Sequence, residues 1–185
     1  MDYKYVVYGD SIAFGYGNNN KSWFDLLFYN EKNLKSAQNG ETISGVLNKI
    51  KGDVYSYDVL YIAIGINDLL SSSMVSQINV LPLINQYEEI LKIAKLKAKE
   101  VVVLSVLPVR EDEFPSQNWL DEDMWCFNSD IINFNENVRL LCNKYNVQFF
   151  DVYNKFILYD LNDLYIDAVH LNKLGQEKVA CLLDI

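Results

Sequence analysis

Only one histidine, His170, occurs in the 185 residues, and Asp167 stands three positions before it in DAVHLNKLG. Three apart in a turn, a carboxylate can accept from one imidazole nitrogen and leave the other facing a hydroxyl. Such a hydroxyl stands near the other end of the chain. In VVYGDSIAFGYG a run of β-formers stops at Gly9-Asp10-Ser11. A serine where a strand gives way to a helical turn can cap the helix, or it can attack a substrate once an adjacent base takes its proton. Its own N–H then lies where negative charge develops. Serine, histidine and aspartate would together form an acyl-transfer relay, and only His170 can supply the base.

Two more polar loops have residue types suited to the same chemistry. In QNGET, Gly40 could present a bare backbone N–H to a ligand, or simply make a turn before a helix. In AIGIND, Asn67 and Asp68 follow an apolar run, and helix capping by either explains them equally well. The residues of these loops alone leave both readings open.

The elements that must position these loops follow from hydrophobic periodicity. Strands are expected at Tyr5 to Tyr8, Leu34 to Gln38, Asp58 to Ile64, Val101 to Val106 and Gln148 to Val152. Helices are expected at Ser22 to Asn30, with Trp23, Leu26 and Leu27 inward, and at Thr42 to Ile50, with Ile43, Val46, Leu47 and Ile50 inward. A long helix with Pro82 in its first turn runs to about Ala98. Two more span Asp130 to Tyr145 and Lys173 to Leu183. Strands that are apolar throughout and alternate with helices imply a parallel sheet covered on both faces. The expected architecture is therefore α/β: an open, doubly wound, five-stranded parallel sheet in a three-layer α/β/α arrangement, one domain spanning residues 1–185. In such sheets the ligand crevice lies outside the carboxyl ends of the strands, which is where the loops holding Ser11, Gly40, Asn67 and His170 fall.

Composition narrows the partners. A net charge of -9 disfavours nucleic acid, whose phosphates need clustered Lys and Arg. Lys92, Lys95, Lys97 and Lys99 read as a solvated helix face. Cys126, Cys142 and Cys181 are too far apart for a zinc site or a redox dithiol and read as reduced core thiols; with one histidine, no metal is expected. There is no apolar stretch of membrane-spanning length and no visible signal peptide, so a cytoplasmic protein without membrane insertion is expected. The oligomeric state is not legible.

Residues 107–129 break the alternation with an acidic, aromatic stretch too long for an ordinary connection, which suggests a functional loop. Phe114, Trp119, Trp125 and Phe127 could wall a substrate or pack as a satellite cluster. Arg110 is expected to pair with Glu111 and Asp112 rather than with a substrate anion.

Four segments in order, GDSIAFGYG, NGETISG, IGIND and DAVHLNKLG, resemble the conserved blocks of the SGNH hydrolases, the GDSL-type lipase and esterase superfamily. They run from Gly9 to Gly175. The resemblance implies that Ser11 is the nucleophile, His170 the general base and acid, and Asp167 the residue that orients the imidazole. It implies an oxyanion hole made of the N–H of Ser11, the N–H of Gly40 and the side-chain amide of Asn67. It implies the flavodoxin-like SGNH hydrolase fold, no cofactor, and a serine esterase that hydrolyses carboxylic esters through an acyl-enzyme. A small soluble ester or an O-acetylated carbohydrate is favoured, with lysophospholipids and thioesters also found among resembling enzymes. Ile12 replaces a frequent leucine, a volume-conserving swap, and Gly45 lies near enough to compete with Gly40. The G-x-S-x-G elbow of α/β-hydrolases is absent. An O-acyltransferase would use the same residues. A non-catalytic flavodoxin-like binding domain would use the same crevice, but neither a P-loop nor G-x-G-x-x-G occurs.

Overall fold

The computed structural model describes residues 3–76, 78–115 and 123–184. Five strands, β1 (Tyr3–Gly9), β2 (Asn33–Ala37), β3 (Tyr57–Ala63), β4 (Ala98–Leu104) and β5 (Gln148–Phe150), pair in parallel in the order β2-β1-β3-β4-β5. The chain steps outward from β1 to β2, then crosses to the other side of β1 for β3. This reversal of direction opens a crevice at the carboxyl ends of β1 and β3.

Side chains of successive strand residues point to opposite faces, and both faces are covered. Val6, Tyr8, Leu60, Ile62, Val101 and Val103 pack against α3 (Ile43–Gly52), α4 (Leu81–Lys97) and α5 (Asn128–Tyr145). Val7, Val102 and Leu104 pack on the other face, against α1 (Ser11–Phe14), α2 (Trp23–Leu27), α6 (Val152–Phe156) and α7 (Lys173–Leu183). Fully burying such an aliphatic side chain contributes about 1.5–3 kcal/mol, so the alternation in each strand fixes both layers at once. Among the described residues no helix is long and apolar enough to cross a membrane.

The observed elements differ from the expected ones in places. α2 is shorter than Ser22 to Asn30, and it buries Trp23 and Phe24 while Leu26 is 46 % exposed. Phe24 packs edge-on to Trp23, Phe28 and Tyr61, which sets the helix's rotation. β4 begins at Ala98, so Lys99 belongs to a strand and pairs with Asp58 of β3 across 2.6 Å. β5 stops at Phe150 because the Asp151 carboxylate accepts from Asn154 N–H and starts α6, an element absent from the sequence reading. α5 starts at Asn128, two residues before Asp130. Cys126 and Cys142 are buried, whereas Cys181 is exposed on α7 and is no core thiol.

Candidate active site

The first crevice loop is decided by Asp10, not Ser11. The Asp10 carboxylate caps α1 by accepting from Ile12 N–H at 2.9 Å, and Ser11 becomes the first residue of the turn. A capping serine would turn its hydroxyl to the backbone; with the cap supplied by its neighbour, Ser11 Oγ lies 2.9 Å from His170 Nε2. Ser11 and His170 are each under 5 % exposed.

At the far end of the chain, Asp167 builds the turn it sits in. Its Oδ1 accepts from the N–H groups of Val169 and His170 at 2.8 and 2.7 Å, a local side-chain to backbone pattern that short acidic residues favour. That leaves Oδ2 2.8 Å from His170 Nδ1. Burial would raise the Asp167 carboxyl, but the hydrogen bonds and charge of His170 outweigh it and hold the group below its ordinary value. Ser11, His170 and Asp167 thus form one hydrogen-bonded line. The ring of Tyr16 lies against the imidazole with centroids 4.3 Å apart.

The second and third loops are stitched together. Asn67 Nδ2 donates to the Glu41 carbonyl at 2.7 Å, and the Asp68 carboxylate accepts from Ile43 N–H at 3.0 Å. Asp68 therefore caps the start of α3, a different helix from its own 3-10 turn (Ile66–Leu69). Gly40 and Gly45, alternatives in the sequence, now separate. The N–H of Gly45 is taken by Thr42 Oγ1 inside the first turn of α3, and a Cβ there would meet Glu41 Oε1 at 1.9 Å. Gly40 sits exposed at the loop tip with φ +71 and open space around its Cα.

Two acidic groups near the line carry unusual protonation. Burial pushes Asp10 up to about 7, against the pull of its hydrogen bond from Ile12 and of the nearby His170. Burial likewise pushes Asp68 up to about 6, with the Glu41 charge adding to the rise and the Ile43 N–H opposing it. Neither group stood out as titratable in the sequence, because depth is not visible there.

The long loop also resolves in part. Arg110 pairs with Glu113, one turn ahead, instead of Glu111 or Asp112. Trp125 exchanges two backbone hydrogen bonds with Ser71, 2.7 and 2.9 Å, which ties this loop to the one after β3. Phe114 packs on the core under the sheet, and Phe127 is half-buried at the head of α5. Trp119 lies outside the described residues. Among the described residues no group of three or more His, Cys, Asp or Glu side chains could hold a metal ion.

The chain matches the GDSL-like lipase/acylhydrolase family over residues 7–178. No curated protein matches it significantly in sequence. In structure it is similar to a lipase/acylhydrolase from Enterococcus faecalis (TM-score 0.74, 20 % identity, covering 99 % of this chain and 93 % of that one). It is similar to a lipolytic protein of the G-D-S-L family from Veillonella parvula DSM 2008 (TM-score 0.73, 17 % identity, 97 % and 94 % covered). An acetyl xylan esterase superimposes with a TM-score of 0.71 at 21 % identity, 97 % of each chain being covered.

Proposed function

The chain belongs to the GDSL-like lipase/acylhydrolase family, hydrolases that act on ester bonds, and we propose that it is a serine esterase working through an acyl-enzyme, with small O-acetyl esters, those of carbohydrates foremost, as its substrates. The observation that carries this reading is the hydrogen-bonded line from Ser11 through His170 to Asp167.

In this reading Ser11 Oγ attacks the ester carbonyl while its proton passes to His170 Nε2. Asp167 holds the proton on Nδ1, which keeps Nε2 basic and balances the imidazolium once it forms. The tetrahedral oxyanion accepts from the N–H groups of Ser11 and Gly40 and from Asn67 Nδ2. An amide nitrogen carries two hydrogens, so one remains for substrate after the bond to Glu41, and that bond fixes its direction. Gly45 makes a poor alternative because its N–H already serves Thr42. Collapse of the intermediate expels the alcohol, which takes the proton from Nε2. Water then attacks the acyl-enzyme, giving a proton to the same nitrogen, and the carboxylic acid leaves as Ser11 recovers its own.

The substrate class rests on two supports. One structurally similar protein is an acetyl xylan esterase, and the net charge of -9 repels anionic membrane surfaces that a phospholipase must approach. A fluorophosphonate probe should label Ser11 alone, as located by peptide mapping. Ser11→Ala and His170→Ala should each abolish acetate release from p-nitrophenyl acetate and acetylated xylo-oligosaccharides. Full turnover in either variant rejects the triad. Turnover of long-chain but not acetyl esters rejects the substrate class.

A further inference from the structure

Tyr16 has no part in the relay just described, yet its ring lies against the base of that relay. Its ring centroid is 4.3 Å from that of His170, with the planes 39° apart, inside the roughly 6 Å at which an aromatic face attracts a cation. We propose that Tyr16 is a positioning residue for the esterase reaction: its ring fixes the plane of the imidazole and stabilises the imidazolium that forms when Ser11 gives up its proton. The inference rests on the triad reading above.

The local structure is arranged to keep that ring in place. α1 ends in a left-handed turn at Gly15, φ +93, and both Gly15 and Tyr16 N–H groups close back on the Ser11 carbonyl. A side chain at Gly15 would collide with the Lys21 backbone at 2.6 Å, so the tight turn requires glycine. Asn18 then bridges the two halves of the site. Its Nδ2 donates to the Tyr16 carbonyl at 3.1 Å and to the Leu171 carbonyl, next to His170, at 2.8 Å. The turn that carries the ring is thereby fastened to the loop that carries the base.

A neutral ring face contributes little to a neutral imidazole and more to a charged one, because the attraction acts on the cation. The effect is differential and therefore kinetic. The carboxyls that interact with the imidazole include Asp167 from its own loop and Asp10 from the head of α1. Both stay in place in the variants below, so a difference between variants isolates the ring.

His170 is the only histidine, so one imidazole resonance reports its titration in the intact protein by proton NMR without any substrate. Tyr16→Leu should move the midpoint of that titration to lower pH by about half to one unit. The acid limb of the kcat/KM profile should move with it, and kcat/KM should fall about three- to tenfold, carried by kcat rather than KM. Tyr16→Phe keeps the ring face and should behave as wild type. Replacement of Tyr16 by pentafluorophenylalanine keeps the shape but removes the negative face, and should follow the leucine variant even if that variant folds poorly. A pentafluorophenyl variant whose midpoint and kcat/KM match wild type overturns the proposal, as does a Tyr16→Phe variant that falls as far as leucine. Failure of the triad reading would appear separately, as turnover by Ser11→Ala.

Discussion

At the scale of single residues, the site depends on which neighbour takes the routine structural task. Asp10 caps the first turn and frees Ser11; Asp167 satisfies two backbone donors with one oxygen and offers the other to the imidazole. Ser11, Asp167 and His170 were singled out together because histidine occurs once and its chemistry needs a hydroxyl and a carboxylate beside it. Asp10 and Asp68 were not legible as titrating groups, since their displacement comes from burial. That displacement has a thermodynamic sign. A carboxyl that is raised in the folded chain keeps its proton to higher pH than in the unfolded chain, so stability falls as pH climbs from the ordinary 3.8 toward about 7. Asp167, held low, acts in the opposite sense and only in more acid solution. Urea unfolding from pH 4 upward should show this decline for wild type. Asp10→Asn, which can still cap α1, should make it shallower and leave the part due to Asp68; an unchanged slope would mean that Asp10 titrates normally.

At the scale of elements, α5 does more than cover the sheet. Its Asn135 grips the backbone of Val106, accepting from the N–H at 2.8 Å and donating to the carbonyl at 2.9 Å. Two turns earlier Asn128 does the same for Val109, at 3.0 and 2.9 Å. Beyond the end of β4 the buried chain therefore finds, in two amides, the partners that a sixth strand would have given. Asn135→Ala would leave a buried N–H and a buried carbonyl unmatched and should cost about 2–4 kcal/mol in chemical denaturation. A loss below that of an exposed asparagine of α5, such as Asn133, would contradict this. The helix itself was legible from Ile131, Phe134, Val138, Leu141 and Cys142, which recur at helical spacing; all are buried except Leu141, which is half-buried. Asn135 was not, because an asparagine in such a pattern reads as surface. Periodicity failed for α2 for a different reason: five residues make little more than one turn, too few to fix which side faces inward, and Phe24 rather than Leu26 took the core.

At the scale of the whole molecule, the layering and the crevice followed from the alternation of apolar strands with helices, since only a covered parallel sheet accommodates both. What the alternation could not reveal is how the two ends of the chain are joined. Ser11 and His170 stand 159 positions apart. Gln176 of α7, 2 % exposed, accepts from Trp23 N–H and donates to the Ile12 carbonyl, at 2.9 and 3.0 Å. Ser11 starts the turn just after β1, and His170 lies in the loop before α7, so in the proposed reading the nucleophile and its base come from segments far apart in the chain. On that reading neither segment works alone: the one with the serine and the one with the histidine must be folded against each other before an ester can be turned over. Cleavage within the exposed stretch 72–75 should leave two fragments without esterase activity when separated, and turnover should return in proportion to their reassociation, read by size exclusion alongside acetate release.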